Sequence, residues 1–396
     1  MKNCFQKISL FLLMIFVFAG ISFAQKRPAK TVKKTVKKTV KKDVVTKPVV
    51  DDKRDTLEMV FVVDTTGSMG GLIDGAKQKI WGIINEVMQK QSRPRVRVGL
   101  VAYRDLGDDY VTKITPITED LDKVYTDLMA YQAGGGGDTP ENVRKALSEG
   151  VKKTGWAQAK KGLAQIVFLV GDAPPQNYAQ EPDVLVTTAE AIRKNMIVNT
   201  IQCGNIDGTK EIWQNIAQRG EGKYFAIAQD GGVQAISTPF DLKLAELAAK
   251  LGKTYITYGN TAIQSANTIR QSAVEVTVTA DASVSAQAER ANNKALNSFS
   301  YDGDLLQEIE NDSMKLEDLK EKDLPDELKK LSVAERKKEV EKRLAERKKI
   351  RAEILELSKK RDEFISSERK KAGVKNGFDT VVAEALKEQL LKKGIK

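Results

Sequence analysis

Residues Glu58–Leu72 read EMVFVVDTTGSMGGL. An apolar run, Met59 to Val63, stops at the carboxylate of Asp64, and Thr65, Thr66, Gly67, Ser68 and more glycine follow. A continuous apolar run with no alternation fits a strand covered on both faces, as in parallel sheets. The small and hydroxylated residues after it fit a turn at the strand's carboxyl end, where glycine lets the backbone fold tightly.

The same grammar recurs along the chain. Val96–Tyr103, Gln165–Val170, Val198–Cys203 and Lys223–Ala228 read as further strands, rich in Val, Ile and aromatics. Tyr110–Ile117 reads as an edge strand, because Pro116 cannot donate to a central ladder. Between them fall amphipathic helices. Leu72–Gln91 carries Ile73, Ala76, Ile80, Ile83, Ile84 and Val87 at helical spacing. Glu119–Tyr131, Glu141–Lys152, Asp183–Asn195, Lys210–Gln218 and Asp241–Leu251 follow. Strands alternating with helices predict an α/β fold, a Rossmann-like, doubly wound, mostly parallel sheet of about six strands. Ligands of such sheets sit beyond the carboxyl ends of the strands.

Three loops at that end carry oxygen donors. The first holds Asp64, Thr66 and Ser68; the second is Ala133–Glu141, AGGGGDTPE, with Asp138 and Thr139; the third is Gly171–Pro175, GDAPP, with Asp172. Carboxylates and hydroxyls are hard donors suited to Mg²⁺, Mn²⁺ or Ca²⁺. So few charges under-neutralise a divalent ion, which stays able to accept a carboxylate from a partner.

This pattern resembles the von Willebrand factor A domain over roughly residues 56–252. Asp64, Thr66 and Ser68 match the D-x-S-x-S of its metal-ion-dependent adhesion site, with Thr66 in place of the first Ser, and Asp172 matches its last Asp. Asp138 and Thr139 both suit the middle ligand. VAYRD (Val101–Asp105) and GDAPP resemble bacterial members. The resemblance implies a metal-binding, non-catalytic module that engages a protein ligand with an exposed acidic residue.

Composition narrows the chemistry. Histidine is absent, which excludes a Ser-His-Asp triad, an imidazole zinc site and histidine acid–base pairs. A metal-assisted hydrolase of anionic substrates is therefore disfavoured. The two cysteines, Cys4 and Cys203, make no disulfide scaffold, and Cys203 reads as a buried strand residue. Gly134–Gly137 lacks the Gly-Lys-Ser/Thr of a nucleotide phosphate loop. Asp108 and Asp109 read as a solvated turn with Asp105 behind the metal loop, and Trp81, Trp156 and Trp213 as packing residues.

The termini differ from this body. Residues 1–24 have basic Lys2 and Lys7, an apolar stretch from Ile8 to Ile21 and small residues before Gln25, the grammar of a secretory signal; an uncleaved anchor is the alternative. An extracytoplasmic location, periplasmic, envelope-associated or secreted, follows as an expectation. Of the net charge of +11, residues 25–54 carry most, with twelve Lys/Arg against Asp43, Asp51 and Asp52. TVKKTVKKTVKK (Thr31–Lys42) cannot build a core and predicts a disordered basic linker. Behind a signal its anionic partners are envelope polymers or lipid headgroups, contacted through 26–42, not nucleic acid; a solvated spacer is the alternative.

The expected domain limits are 55–255 for the A domain, 256–300 for an Ala/Ser/Asn-rich connector and 301–396 for a charged helical arm. Within the connector VEVTVTA (274–280) alternates like a strand. Ser332–Glu335 is a capping box opening a helix to about Lys371. Its thin stripe of Val340, Leu344, Ile350, Ile354, Leu357, Phe364 and Ile365 predicts a helical hairpin or coiled coil, or a solvated single helix held by Glu–Lys pairs. Phe378–Leu391 is expected to pack back on that rod. The alternative to metal-dependent binding is an envelope scaffold, in which the basic tail and the rod make the contacts and the metal only supports the fold.

Overall fold

The computed structural model describes residues 54–89, 94–137, 139–232, 236–372 and 377–395. The segment read as a signal, the basic linker up to Lys53, and Asp138 lie outside them. The described residues fall in one compact unit.

The sheet has six strands: β1 (Thr56–Asp64), β2 (Arg95–Tyr103), β3 (Thr112–Thr118), β4 (Leu163–Gly171), β5 (Ile197–Cys203) and β6 (Glu221–Ile227). Their order is β3-β2-β1-β4-β5-β6. All pairs are parallel except β2–β3, so β3, with Pro116, is the antiparallel edge expected from its sequence. The order reverses between β1 and β4, which leaves a crevice at their carboxyl ends.

Every residue of β1 is buried, and its two faces serve two cores. Leu57, Met59, Phe61 and Val63 point into one, with α1 (Gly70–Met88) and α2 (Leu121–Met129). Val60 and Val62 point into the other, with α3 (Val143–Lys152), α4 (Val184–Arg193) and α5 (Thr209–Arg219). By the two-residue period, Asp64 leans to the second side. The three tryptophans are packing residues: Trp81 and Trp213 are buried, and Trp156 is partly buried and donates to Gly150 O at 2.8 Å.

After α6 (Asp241–Gly252) the chain continues as helix: α7 (Thr261–Asp281), α8 (Val284–Leu296), α9 (Leu305–Glu310), α10 (Asp326–Lys329), α11 (Val333–Ala372) and α12 (Phe378–Lys392). The strand-like alternation at 274–280 is overturned, since these residues lie inside α7. Val274 and Val278 are one helical turn apart and buried, while Val276 faces solvent. Asn260 caps the helix, accepting from Ile263 N at 3.0 Å.

The rod reading is also corrected. α11 runs through 40 residues, yet it is neither a free helix nor half of a hairpin. It packs on α6, α8 and α9 of the same unit. Its sparse stripe is completed by buried Arg347 and Arg361, which polar patterning had assigned to solvent. α12 docks chiefly on α1 instead of on the rod, with Phe378 6.1 Å from the Phe61 ring. The capping box forms as expected: Ser332 N and Oγ donate to Glu335 Oε2 at 2.9 and 2.7 Å.

Candidate functional site

The site is built at the β1–β4 switch point. The parallel register sets Val63 beside Val170, so Asp64 comes level with Gly171 and Asp172 follows it. A side chain at Gly171 would not fit: its Cβ would lie 2.4 Å from Tyr103 Oη and 3.1 Å from Asp64 Cβ. This close approach brings the two carboxylates within electrostatic reach of each other.

Asp64 organises the first loop. Its Oδ1 accepts from Thr66 N at 2.8 Å and from Thr66 Oγ1 at 2.7 Å. Thr66 Oγ1 is 3.4 Å from Ser68 Oγ, so the three positions of the D-x-T-x-S motif converge. Asp64 and Thr66 are buried; Ser68 is exposed at the lip. Asp172 is buried, and its Oδ2 accepts from Gln229 Nε2 at 2.7 Å. Gln229 Nε2 also reaches Ser68 O at 3.3 Å, which ties the third loop to the first.

The glycine loop leans on both. Gly67 N donates to Gly135 O at 3.2 Å, and Gly134 N to Thr65 O at 3.1 Å. Gly136 has φ +74°, and a Cβ there would sit 3.1 Å from Thr66 Cβ and 3.3 Å from Glu141 Oε1. Thr139 is exposed, and Asp138 lies outside the described residues. The middle position therefore stays open between the two.

Three residues outside the expected ligand set belong to this rim. Glu141 is buried beside Thr66 and was assigned only to the start of a helix. Its place after Gly-Asp-Thr-Pro, in the loop already singled out, was the available signal. Asp105 is buried and accepts from Tyr178 Oη at 2.7 Å. Asp108 and Asp109 lie in the turn after β2, as expected, with Asp109 exposed; the half-buried Asp108 carboxylate also accepts from Gly136 N at 3.2 Å.

Electrostatically the rim is unbalanced. Burial pushes the Asp64 carboxyl up to about 7; the Thr66 hydrogen bonds hold it back and the Asp172 charge adds to the rise. Burial also pushes Glu141 up to about 8, reinforced by Asp64, Asp105, Asp108 and Asp172. Asp64 Oδ2, Asp105 Oδ1 and Glu141 Oε2 are buried without a hydrogen-bond partner among the described residues. Arg104 reaches this end, but it donates to Thr65 O and Gln132 O at 3.1 and 2.8 Å. The donor set is oxygen only, and three buried carboxylate oxygens in it are orphaned. That chemistry fits a hard divalent cation. No group of three or more Asp, Glu, Cys or His side chains is gathered around a single metal-sized point among the described residues. Any ion here would lean on the hydroxyls as well.

Residues 58–239 match the family model of the von Willebrand factor A domain. The chain carries a von Willebrand factor A domain. The chain is 26% identical over 170 residues to a putative ariadne-like RING finger protein, R811, of Acanthamoeba polyphaga mimivirus; the match takes in 39% of this chain and 16% of that protein's length. Among solved structures, the pilus adhesin SpaC of Lactobacillus rhamnosus GG aligns at 15% identity over 45% of this chain and 28% of its own, with a TM-score of 0.35. Proximal thread matrix protein 1 of the mussel byssus aligns at 14% identity over 46% of this chain and 44% of its own, with a TM-score of 0.34. Beyond the matched residues the chain continues in the helices α6 to α12.

Proposed function

We propose that the protein is a non-enzymatic interaction scaffold of the cell envelope, in which a divalent ion at the A-domain rim serves the fold. The expected segments, 55–255, 256–300 and 301–396, then act as one body. The observation that carries this reading is the fixation of α11. Arg347 pairs with buried Asp304, and Arg361 with Asp241 and Glu289 at 2.7 and 2.6 Å. These pairs clamp one side of a helix about 60 Å long and hold its other side to solvent. Exposed Lys337, Lys338, Lys348, Lys349, Lys359 and Lys360 line that side, interleaved with exposed Glu341, Glu356 and Glu363, and Lys360 pairs with Glu356 at 2.7 Å. Together with the basic segment 26–42 they suit anionic envelope polymers or lipid headgroups, and the N-terminal signal grammar suits an extracytoplasmic address.

The test is a pull-down from envelope extract with the full chain. Capture should survive EDTA and fall when Lys348, Lys349, Lys359 and Lys360 are reversed to Glu. Truncation of 300–396 is unsuitable, because buried ion pairs would be broken with it. Capture that vanishes in EDTA and ignores the lysine reversals would sink the scaffold reading.

A second reading is favoured by one specific observation, the orphaned Oδ2 of Asp64 beneath an exposed Ser68. Asp64, Thr66, Ser68 and Asp172, with Asp138 or Thr139, would hold Mg²⁺, Mn²⁺ or Ca²⁺. A bound ion supplies an electrophilic centre that accepts a carboxylate oxygen from a protein ligand. Titration calorimetry with the three ions tests it; equal heats from the wild type and Asp64→Ala would remove the metal from the account.

A further inference from the structure

The face of α7 turned away from the body is apolar and, among the described residues, unpartnered. Ala262, Ala266, Ile269, Ala273, Val276 and Ala280 follow one another at alternating steps of four and three residues, and all six are exposed. Ile269 is 69% exposed and Val276 68%. A strict seven-residue repeat of apolar positions is the pattern of a helix–helix seam, and large aliphatics on it seldom face water without purpose. The opposite side of α7 is fixed: Val274 and Val278 enter the core, and Glu275 accepts from Arg290 at 2.7 Å. The exposed face is therefore presented rigidly.

We infer that α7 pairs with α7 of a second copy of this chain, antiparallel about a two-fold axis. Two observations choose a second copy over another partner. The first is charge. In a chain with 30% charged residues, the exposed positions of α7 from Thr261 to Ala280 carry none, and Arg270, whose side chain is 40% exposed beside the stripe, is already paired with Asp302 at 2.9 Å. Identical faces meet without repulsion, and an ionic partner would find no counter-charge. The second is self-complementarity. An antiparallel pair sets each position of one type in the repeat opposite the other type. Ile269 then faces Ala273 of the second copy, Val276 faces Ala266, and Ala262 faces Ala280. Each large side chain meets an alanine, and the two-fold repeats the match, as an isologous interface requires. Ser272 comes beside its own counterpart, and Ser265 beside Thr279. Over 21 residues the helix is about 31 Å long, and the pair covers on the order of 1,000 Å², the lower bound for a specific interface. Association in the micromolar range follows. This inference is independent of the function proposed above.

Sedimentation velocity on the full chain, from about 1 to about 200 µM, should show a monomer–dimer equilibrium. Ile269→Lys should weaken it at least about tenfold, and Val186→Lys, an exposed aliphatic on α4, should leave it unchanged. In a Cys4→Ser background, Ser272→Cys should form a disulfide-linked dimer on oxidation, whereas Ser265→Cys alone should not. Mixing Ser265→Cys with Thr279→Cys should restore cross-linking. A monomer throughout the concentration range overturns the inference. So does a dimer indifferent to Ile269→Lys, or one in which Ser265→Cys cross-links to itself, the mark of a parallel pair.

Discussion

Two regions of this molecule bury carboxylates, and they treat them in opposite ways. Where the helices α7 to α12 meet one another and the helices α2 and α6, buried carboxylates are met by cations. Asp122 takes Arg290 at 2.8 Å and Lys294 at 2.5 Å, Asp304 takes Arg347, and Asp241 takes Arg361 at 2.7 Å. Even Glu58, at the amino end of the sheet, is held by Arg97, Ala157 N and Gln165. At the carboxyl end, Asp64, Asp105, Glu141 and Asp172 crowd together with three orphaned oxygens and, among the described residues, no salt bridge. The chain has the means to pair a buried acid with a cation. Where it leaves acids unpaired, so that burial raises Asp64 and Glu141 toward the neutral form, their oxygens are available to something other than the fold.

The comparison is broken most sharply from the paired side. Arg347 and Asp304 are both fully buried, and removing one leaves the other as an uncompensated charge. Arg347→Ala should cost about 3–5 kcal/mol, read as a shift in urea midpoint at unchanged slope. A loss below about 1 kcal/mol, the range of exposed pairs, would show that the seam is not structural. The unpaired side should respond to ions instead. Saturating Mg²⁺, Mn²⁺ or Ca²⁺ at about a hundredfold over its dissociation constant should add about 2.7 kcal/mol, seen as a rise in Tm that EDTA reverses. No rise with any of the three would leave the rim as an unexplained cluster of repelling acids.

Acid titration sharpens the contrast further. Burial alone would raise Asp122, but the Arg290 and Lys294 charges outweigh it and hold the carboxyl well below the usual range. With the folded value depressed, its contribution is complete above the unfolded value of about 4 and is lost as pH falls toward the folded one. The stability of Asp122→Asn, followed by urea titration, should therefore fall less steeply between about pH 4 and pH 2 than that of the wild type. Parallel slopes would mean that Asp122 is not held in its charged form.

How much of this was legible follows from the same physics. The rim was readable because strand ends are punctuated: VFVV stops at Asp64 and IVFLVG at Asp172, and the parallel register carries both to one edge. Glu141 escaped because a carboxylate ahead of an amphipathic run also reads as an ordinary helix start. The helical layer escaped for a deeper reason. Its seam is sealed by arginines, and Arg347 and Arg361 look like solvent-facing residues until Asp304 and Asp241, distant in sequence, are brought opposite them. In α7 the valines alternate like a strand, yet 274 and 278 also share a helical face, and two-residue spacing could not decide between the two.

The smallest expected effect tests the comparison most directly. Asp64→Asn keeps an oxygen to accept from Thr66 N and Oγ1, and it places an amide at the orphaned Oδ2. It deletes a carboxylate that pairs with no cation and that burial already pushes up to about 7, so no charged partner is stranded by its loss. In EDTA the variant should match the wild type at pH 7 or exceed it by up to about 1 kcal/mol. It should gain nothing from Mg²⁺. The equivalent change on the other side, Asp304→Asn, strands Arg347 and should cost several kcal/mol, about as much as Arg347→Ala. If Asp64→Asn destabilises the metal-free protein as severely, the rim is a structural site like the seam, and the asymmetry between the two regions is only apparent.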